Sequence, residues 1–95
     1  MGLFTFGKYF MNTPKLELYY FDACPYCQLV LDVIDELSIK VDFKDIKKDG
    51  ANLNKLIQDT GRRTVPCMYI DGRPMHESSD IMKWLKNNQD QLEKI

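Results

Sequence analysis

The chain has 95 residues, enough for one compact domain and too few for a second core. Thirteen Lys and Arg against fourteen Asp and Glu give a net charge of -1, which offers no broad electrostatic reason to bind nucleic acid or an anionic membrane. With 44% hydrophobic and 28% charged residues it lies outside the disordered and collagenous classes, and its three cysteines cannot pair off completely as a secreted disulfide scaffold would, so a reducing, cytoplasmic compartment is expected.

Residues 1–13 read as an N-terminal extension and residues 14–95 as the folded domain. The extension carries Leu3, Phe4, Phe6, Tyr9 and Phe10, side chains apolar enough that they are expected to pack on the domain or on a partner. It is shorter than the roughly 20 residues that a bilayer span needs. Lys8 interrupts its apolar run and no small-residue cleavage site follows, so it does not read as a secretory signal. Phe6 stands where a myristoylation pattern wants Ser or Thr.

Leu16, Leu18 and Tyr20 alternate with Glu17, Tyr19 and Phe21, a period of two with aromatic residues on both faces that predicts a strand buried in a sheet. From Pro25 the period changes. Val30, Leu31, Ile34 and Leu37 recur at three- and four-residue spacing, which makes one apolar face of a helix, and Pro25 suits its first position, where a missing N–H costs nothing. Val41 and Phe43, beside polar Asp42 and Lys44, predict a second short strand, so that strand, helix and strand form a parallel crossover.

Leu53, Leu56 and Ile57 predict a second helix over residues 51–60, with Gly61 placed to end it in a left-handed conformation. Cys67 to Ile70 is the next strand. Asp71-Gly72 is a strong hairpin signal, so residues 73–76 should return as its antiparallel partner. Ser78, Ser79 and Asp80 offer caps for a last helix in which Ile81, Trp84, Leu85 and Leu92 face the core. The element order is β-α-β-α-β-β-α, without repeats or low-complexity stretches.

Cys24 and Cys27 form a C-x-x-C pair, a spacing that serves zinc binding, iron-sulfur ligation and dithiol redox chemistry alike. The context narrows the choice. A strand precedes the pair and a helix follows, so Cys24 sits at a helix N-terminus, where free backbone N–H groups and the helix dipole stabilise a thiolate. Cys24 is therefore expected to be the exposed nucleophile, and Cys27, one turn further in, the resolving thiol.

Cys24-Pro25-Tyr26-Cys27, Thr64-Val65-Pro66 and Ser79-Asp80 resemble, in order and spacing, the active-site tetrapeptide, the TVP segment and the closing serine–aspartate pair of dithiol glutaredoxins. The likeness covers nearly all of the chain from Lys15 to Leu85. It implies a thioredoxin-like α/β fold, a four-stranded mixed sheet flanked by three helices. It also implies a glutathione-dependent thiol-disulfide oxidoreductase acting on protein disulfides and glutathione mixed disulfides, with glutathione as co-substrate and no metal required. A cis peptide bond before Pro66 would set the backbone of Val65 facing Cys24. Val65 would then pair with the cysteinyl part of glutathione and Ser79 and Asp80 would receive its γ-glutamyl end, with Tyr26, Arg63, Thr64 and Pro66 completing the site.

Two positions depart from the family pattern. Phe21 stands where many members carry Lys or Arg three residues before the first active cysteine, and Arg62 or Arg63 could compensate, Arg63 being the closer match. Glu77-Ser78 replaces the usual Gly-Gly and resembles the Glu-Ser pair with which glutathione-transferase N-terminal domains hold the γ-glutamyl group; the plainer alternative is a polar helix start with Ser78 as cap.

Rival readings of the whole chain are an iron-sulfur carrier binding a cluster between two subunits, and a transferase-like or thioredoxin-reductase-coupled redoxin. Cys67 reads as core packing, with a third reactive thiol beside the dithiol as the alternative, and His76 as an exposed residue near a turn. By spacing alone Cys24, Cys27, Cys67 and His76 could also ligate zinc. The expected partners are glutathione and disulfide-bearing or glutathionylated proteins, with the chain itself a monomer.

Overall fold

The computed structural model describes residues 13–95, so all of the apolar extension except Thr13 lies outside the described residues. Over the described residues the elements are β1 (Leu16–Tyr20), α1 (Pro25–Glu36), β2 (Asp42–Asp45), α2 (Gly50–Thr60), β3 (Cys67–Ile70), β4 (Arg73–Met75) and α3 (Ser78–Asn88), the last running into a 3-10 turn at Gln89–Gln91. The strands form one four-stranded mixed sheet in the order β2-β1-β3-β4. β1 runs parallel to β2, with Leu18 opposite Phe43, and antiparallel to β3, with Leu18 opposite Met68. The element order and the mixed sheet match the sequence expectation.

Successive side chains on a strand point to opposite faces, and here both faces are covered, which is why β1 is apolar on both sides. Leu16, Leu18 and Met68 pack with Val30 and Ile34 of α1 and Ile81 and Leu85 of α3. On the other face Tyr19, Cys67 and Tyr69 pack with Ile46 and with Leu56 of α2. Leu18, Leu56, Ile81 and Leu85 are completely buried, and each such side chain contributes about 1.5–3 kcal/mol relative to exposure. The Tyr19 and Tyr69 rings lie 4.7 Å apart, and the Tyr69 hydroxyl donates to Asp59 Oδ2 at 2.9 Å, so that face closes on a satisfied polar rim.

Local signals land where their chemistry predicts. Asp49 caps α2 through its carboxylate, which accepts the Ala51 N–H at 3.0 Å, and Gly61 ends the helix at φ +76°. Asp71 and Gly72 both take positive φ, as a two-residue hairpin turn requires.

Three expectations are corrected. β2 begins at Asp42 rather than Val41, and Phe43 is 48% exposed, β2 being an edge strand of the sheet. Asp45, the next residue on that face, is buried instead, its carboxylate accepting the N–H groups of Lys47 and Lys48 at 2.8 and 3.0 Å. β4 stops at Met75, one residue short of His76. Finally, Ser78 does not cap α3. The helix already begins at Ser78, the cap position is Glu77 at φ +71°, and no side chain of that residue closes the helix end. A chain entering by that backbone geometry leaves the N–H groups of the first turn uncapped by it.

Candidate active site

The site grows from the end of β1. Cys24 occupies the N-cap of α1 with an extended backbone, and Pro25 follows at the first helical position. The Cys24 N–H donates to Phe21 O at 3.2 Å and Gln28 Nε2 donates to Asp22 O at 2.8 Å, which ties the turn between strand and helix. The sulfur of Cys24 folds back over the helix start and accepts the Cys27 N–H at 3.2 Å, taking the place that a serine or aspartate oxygen usually fills. That capping posture explains a departure from expectation: Cys24 is only 6% exposed rather than open. Cys27 is fully buried, and burial, followed by its hydrogen bond with Cys24, pushes its thiol up to about 12.

The peptide bond between Val65 and Pro66 is cis, and the Cys24 sulfur donates to the Val65 carbonyl at 4.0 Å. Beside this contact opens a cleft of about 500 Å³ lined by Tyr26, Thr64, Val65, Pro66, Glu77, Ser78 and Ser79. Three segments far apart in sequence thus meet at one surface: the start of α1, the loop into β3, and the start of α3. Tyr26 is 64% exposed and stands as the outer edge of the cleft. Arg63 and Asp80 are exposed but do not line it.

Comparison with known proteins agrees with this geometry. The chain matches the family model of the glutathione S-transferase N-terminal domain over residues 18–93, and so carries that domain's sequence pattern. It is 31% identical over 75 residues to glutaredoxin 1 of Escherichia coli (strain K12), a match spanning 72% of this chain and 88% of that protein. The chain belongs to the glutaredoxin family. Membership in this branch of the thioredoxin-like superfamily makes it a thiol-disulfide oxidoreductase. It is also 39% identical over 62 residues to the chloroplastic glutaredoxin-C4 of Oryza sativa subsp. japonica, covering 62% of this chain and 47% of that longer protein. The fold is shared with a buckwheat glutaredoxin solved as a glutathione complex, at a TM-score of 0.66 and 22% identity, over 93% of this chain and 84% of that one.

Against this family background the departures take physical form. The ring of Phe21 carries a cation after all: Lys47 Nζ lies 4.5 Å from its centroid, reaching from the loop after β2. No spacing rule pointed to Lys47, because its proximity depends on where β2 ends relative to β1. Cys67 lies in the α2-side cluster with Tyr19, Leu56 and Tyr69, fully buried, and burial pushes its thiol up to about 11. It is a core residue and not a third thiol of the dithiol site. His76 is not an exposed turn residue: its Nε2 lies 3.9 Å from Cys67 Sγ and its Nδ1 is buried. Cys24, Cys27, Cys67 and His76 do not converge, and among the described residues no group of three or more His, Cys, Asp or Glu is arranged to hold a metal ion.

Proposed function

We propose that the chain reduces glutathione mixed disulfides and protein disulfides with glutathione as electron donor, with Cys24 as nucleophile and Cys27 as resolving thiol. The observation that carries this reading is the cleft between Tyr26, the Thr64–Pro66 segment and Glu77–Ser79, opening beside Cys24. An extended tripeptide laid along Val65 can hydrogen-bond its main chain as an added strand does. Its γ-glutamyl carboxylate suits the N–H groups at the start of α3, and the carboxylate of Glu77 suits the ammonium of the same end.

In the first step the Cys24 thiolate attacks the glutathionyl sulfur of a mixed disulfide. A Cys24–glutathione disulfide forms, the original S–S bond breaks, and the departing thiolate takes up a proton. A second glutathione thiolate then attacks the bound glutathionyl sulfur, releasing oxidised glutathione and restoring Cys24. With a protein disulfide, Cys24 first links to the protein. Cys27 then gives up its proton and attacks the Cys24 sulfur, closing the Cys24–Cys27 disulfide and freeing the second protein thiol. Two glutathiones reopen that disulfide and leave as oxidised glutathione. Burial keeps Cys27 neutral at rest, so it does not compete in the first step.

Three free thiols among the described residues fit a reducing compartment, which we propose is the cytoplasm, and no helix among the described residues is long and apolar enough to cross a membrane. The test is turnover of a glutathionylated peptide coupled to glutathione reductase. Sustained oxidation of the nicotinamide cofactor with glutathione present is the expected result. Turnover driven by thioredoxin reductase alone, or no turnover, overturns the proposal.

A further inference from the structure

Cys67 and His76 lie outside the dithiol, yet they sit directly behind the cleft. Cys67 follows Pro66 and His76 precedes Glu77, and Pro66 and Glu77 belong to the two opposed walls. The backbone ladder between β3 and β4 stops at the Met68–Met75 pair. One residue further on, where the two chains part to form the walls, the Cys67 sulfur and His76 Nε2 meet at 3.9 Å. A side-chain contact therefore continues the pairing that the backbone gives up.

Both groups are uncharged at neutral pH. Burial raises the Cys67 thiol to about 11, so the sulfur keeps its proton, while burial and then the charge of Arg62 make His76 a weaker base, with Glu77 opposing. A protonated thiol and a neutral imidazole can pair as donor and acceptor across this contact, and Nδ1, on the other side of the ring, is buried. The residue next to this ring is strained. Glu77 holds φ +71° and ψ 112°, a backbone conformation costly for any residue with a Cβ and one that persists only where the surroundings over-determine it. The Glu77 carbonyl accepts the Ile81 N–H at 3.0 Å on the helix side, and the half-buried His76 ring, in contact with Cys67, anchors the strand side.

We infer that the Cys67–His76 contact is a latch that holds Glu77 in its positive-φ conformation and fixes the spacing of the two cleft walls, which makes both residues positioning residues for glutathione. The inference rests on the glutathione reading proposed above. Neither residue touches the reacting sulfur, so releasing the latch should weaken binding of the glutathione moiety far more than it slows sulfur exchange.

The experiment measures KM and kcat for a glutathionylated peptide in the full chain carrying Cys67→Val, which fills the space without a donor, and His76→Phe, which fills it without an acceptor. Each should raise KM about fivefold or more, while kcat changes by less than about twofold. Cys67→Ser and His76→Gln, which keep a donor and an acceptor, should restore KM to within about twofold of wild type, a rescue that mere filling of the core would not give. Should Val or Phe prevent folding, the Ser and Gln variants, compared with Cys67→Ala and His76→Leu, carry the same test. Unchanged KM in the variants that break the contact, or Ser behaving like Val or Ala, overturns the latch while glutathione turnover by the wild type stands. No glutathione turnover by the wild type overturns both proposals.

Discussion

The sulfur of Cys24 accepts the backbone N–H of Cys27 at 3.2 Å, while the Cys27 thiol itself is sealed in the turn with no exposed surface. The two thiols of the pair therefore meet different surroundings, and their loss should have different consequences. Cys24→Ser should abolish turnover on every substrate, since a serine hydroxyl has no comparable anionic fraction at neutral pH. Cys27→Ser should keep removal of glutathione from mixed disulfides within about tenfold of wild type and lose reduction of protein disulfides, which need the second thiol to release the trapped partner. Both reactions are measured in both variants, with mass analysis of which cysteine carries glutathione. If Cys27→Ser loses deglutathionylation as completely as Cys24→Ser, the chain is an obligate dithiol reductase.

Burial pushes Cys27 up to about 12 and Cys67 to about 11, so both stay protonated through the neutral and mildly alkaline range. Brief treatment of the reduced protein with iodoacetamide at neutral pH should place a single label, on Cys24, as read by peptide mass mapping. The same shifts set a stability trend. Their contribution is complete below the unfolded thiol value of about 8.5 and is lost as pH rises through the folded values, because the unfolded chain then holds fewer protons than the native one. The urea midpoint of the reduced protein should fall steadily above about pH 8.5. A midpoint that rises in that range would contradict the burial of these thiols.

Glu77 stands at φ +71°, where a Cβ adds strain that glycine lacks. Glu77→Gly should relieve about 1 kcal/mol of backbone strain and raise the urea midpoint, while raising KM for the glutathione substrate through loss of the carboxylate. Stability and affinity should move in opposite directions. A variant that is less stable than wild type would show that the side chain supports the fold rather than the ligand.

Lys47 over the Phe21 ring brings positive charge to the β1 end of the site. Glutathione is a net anion, so Lys47→Met should lower kcat/KM for the mixed disulfide about two- to fivefold at low ionic strength, and the difference should shrink as salt screens an exposed charge. A loss that does not change with salt would assign Lys47 a packing role instead.

Gly61 ends α2 at φ +76° with open space where a Cβ would stand. Gly61→Ala meets no clash, so its cost should be that of left-handed backbone alone, about 1–2 kcal/mol in denaturant unfolding. Activity per folded molecule should be retained, since Gly61 does not line the cleft.

Features whose causes are local were legible in the chain. The two-residue alternation from Leu16 to Tyr20, Pro25 opening a helix behind Cys24, Gly61 closing one, and Asp71-Gly72 turning the hairpin all follow from dihedral preferences and side-chain periods within a few residues. The motif order likewise pointed to the segments that line the cleft. What remained hidden depends on partners far away in sequence. Phe43 is half-exposed because β2 lies at the edge of the sheet, and Lys47 finds Phe21 because β2 runs parallel to β1. His76 turns inward because the register of β3 and β4 puts Cys67 opposite it, and Glu77 takes the helix start from Ser78 because the strained turn begins there. A residue's own preferences are written in its neighbours along the chain, whereas its depth, charge environment and contacts are set by elements that only packing brings together.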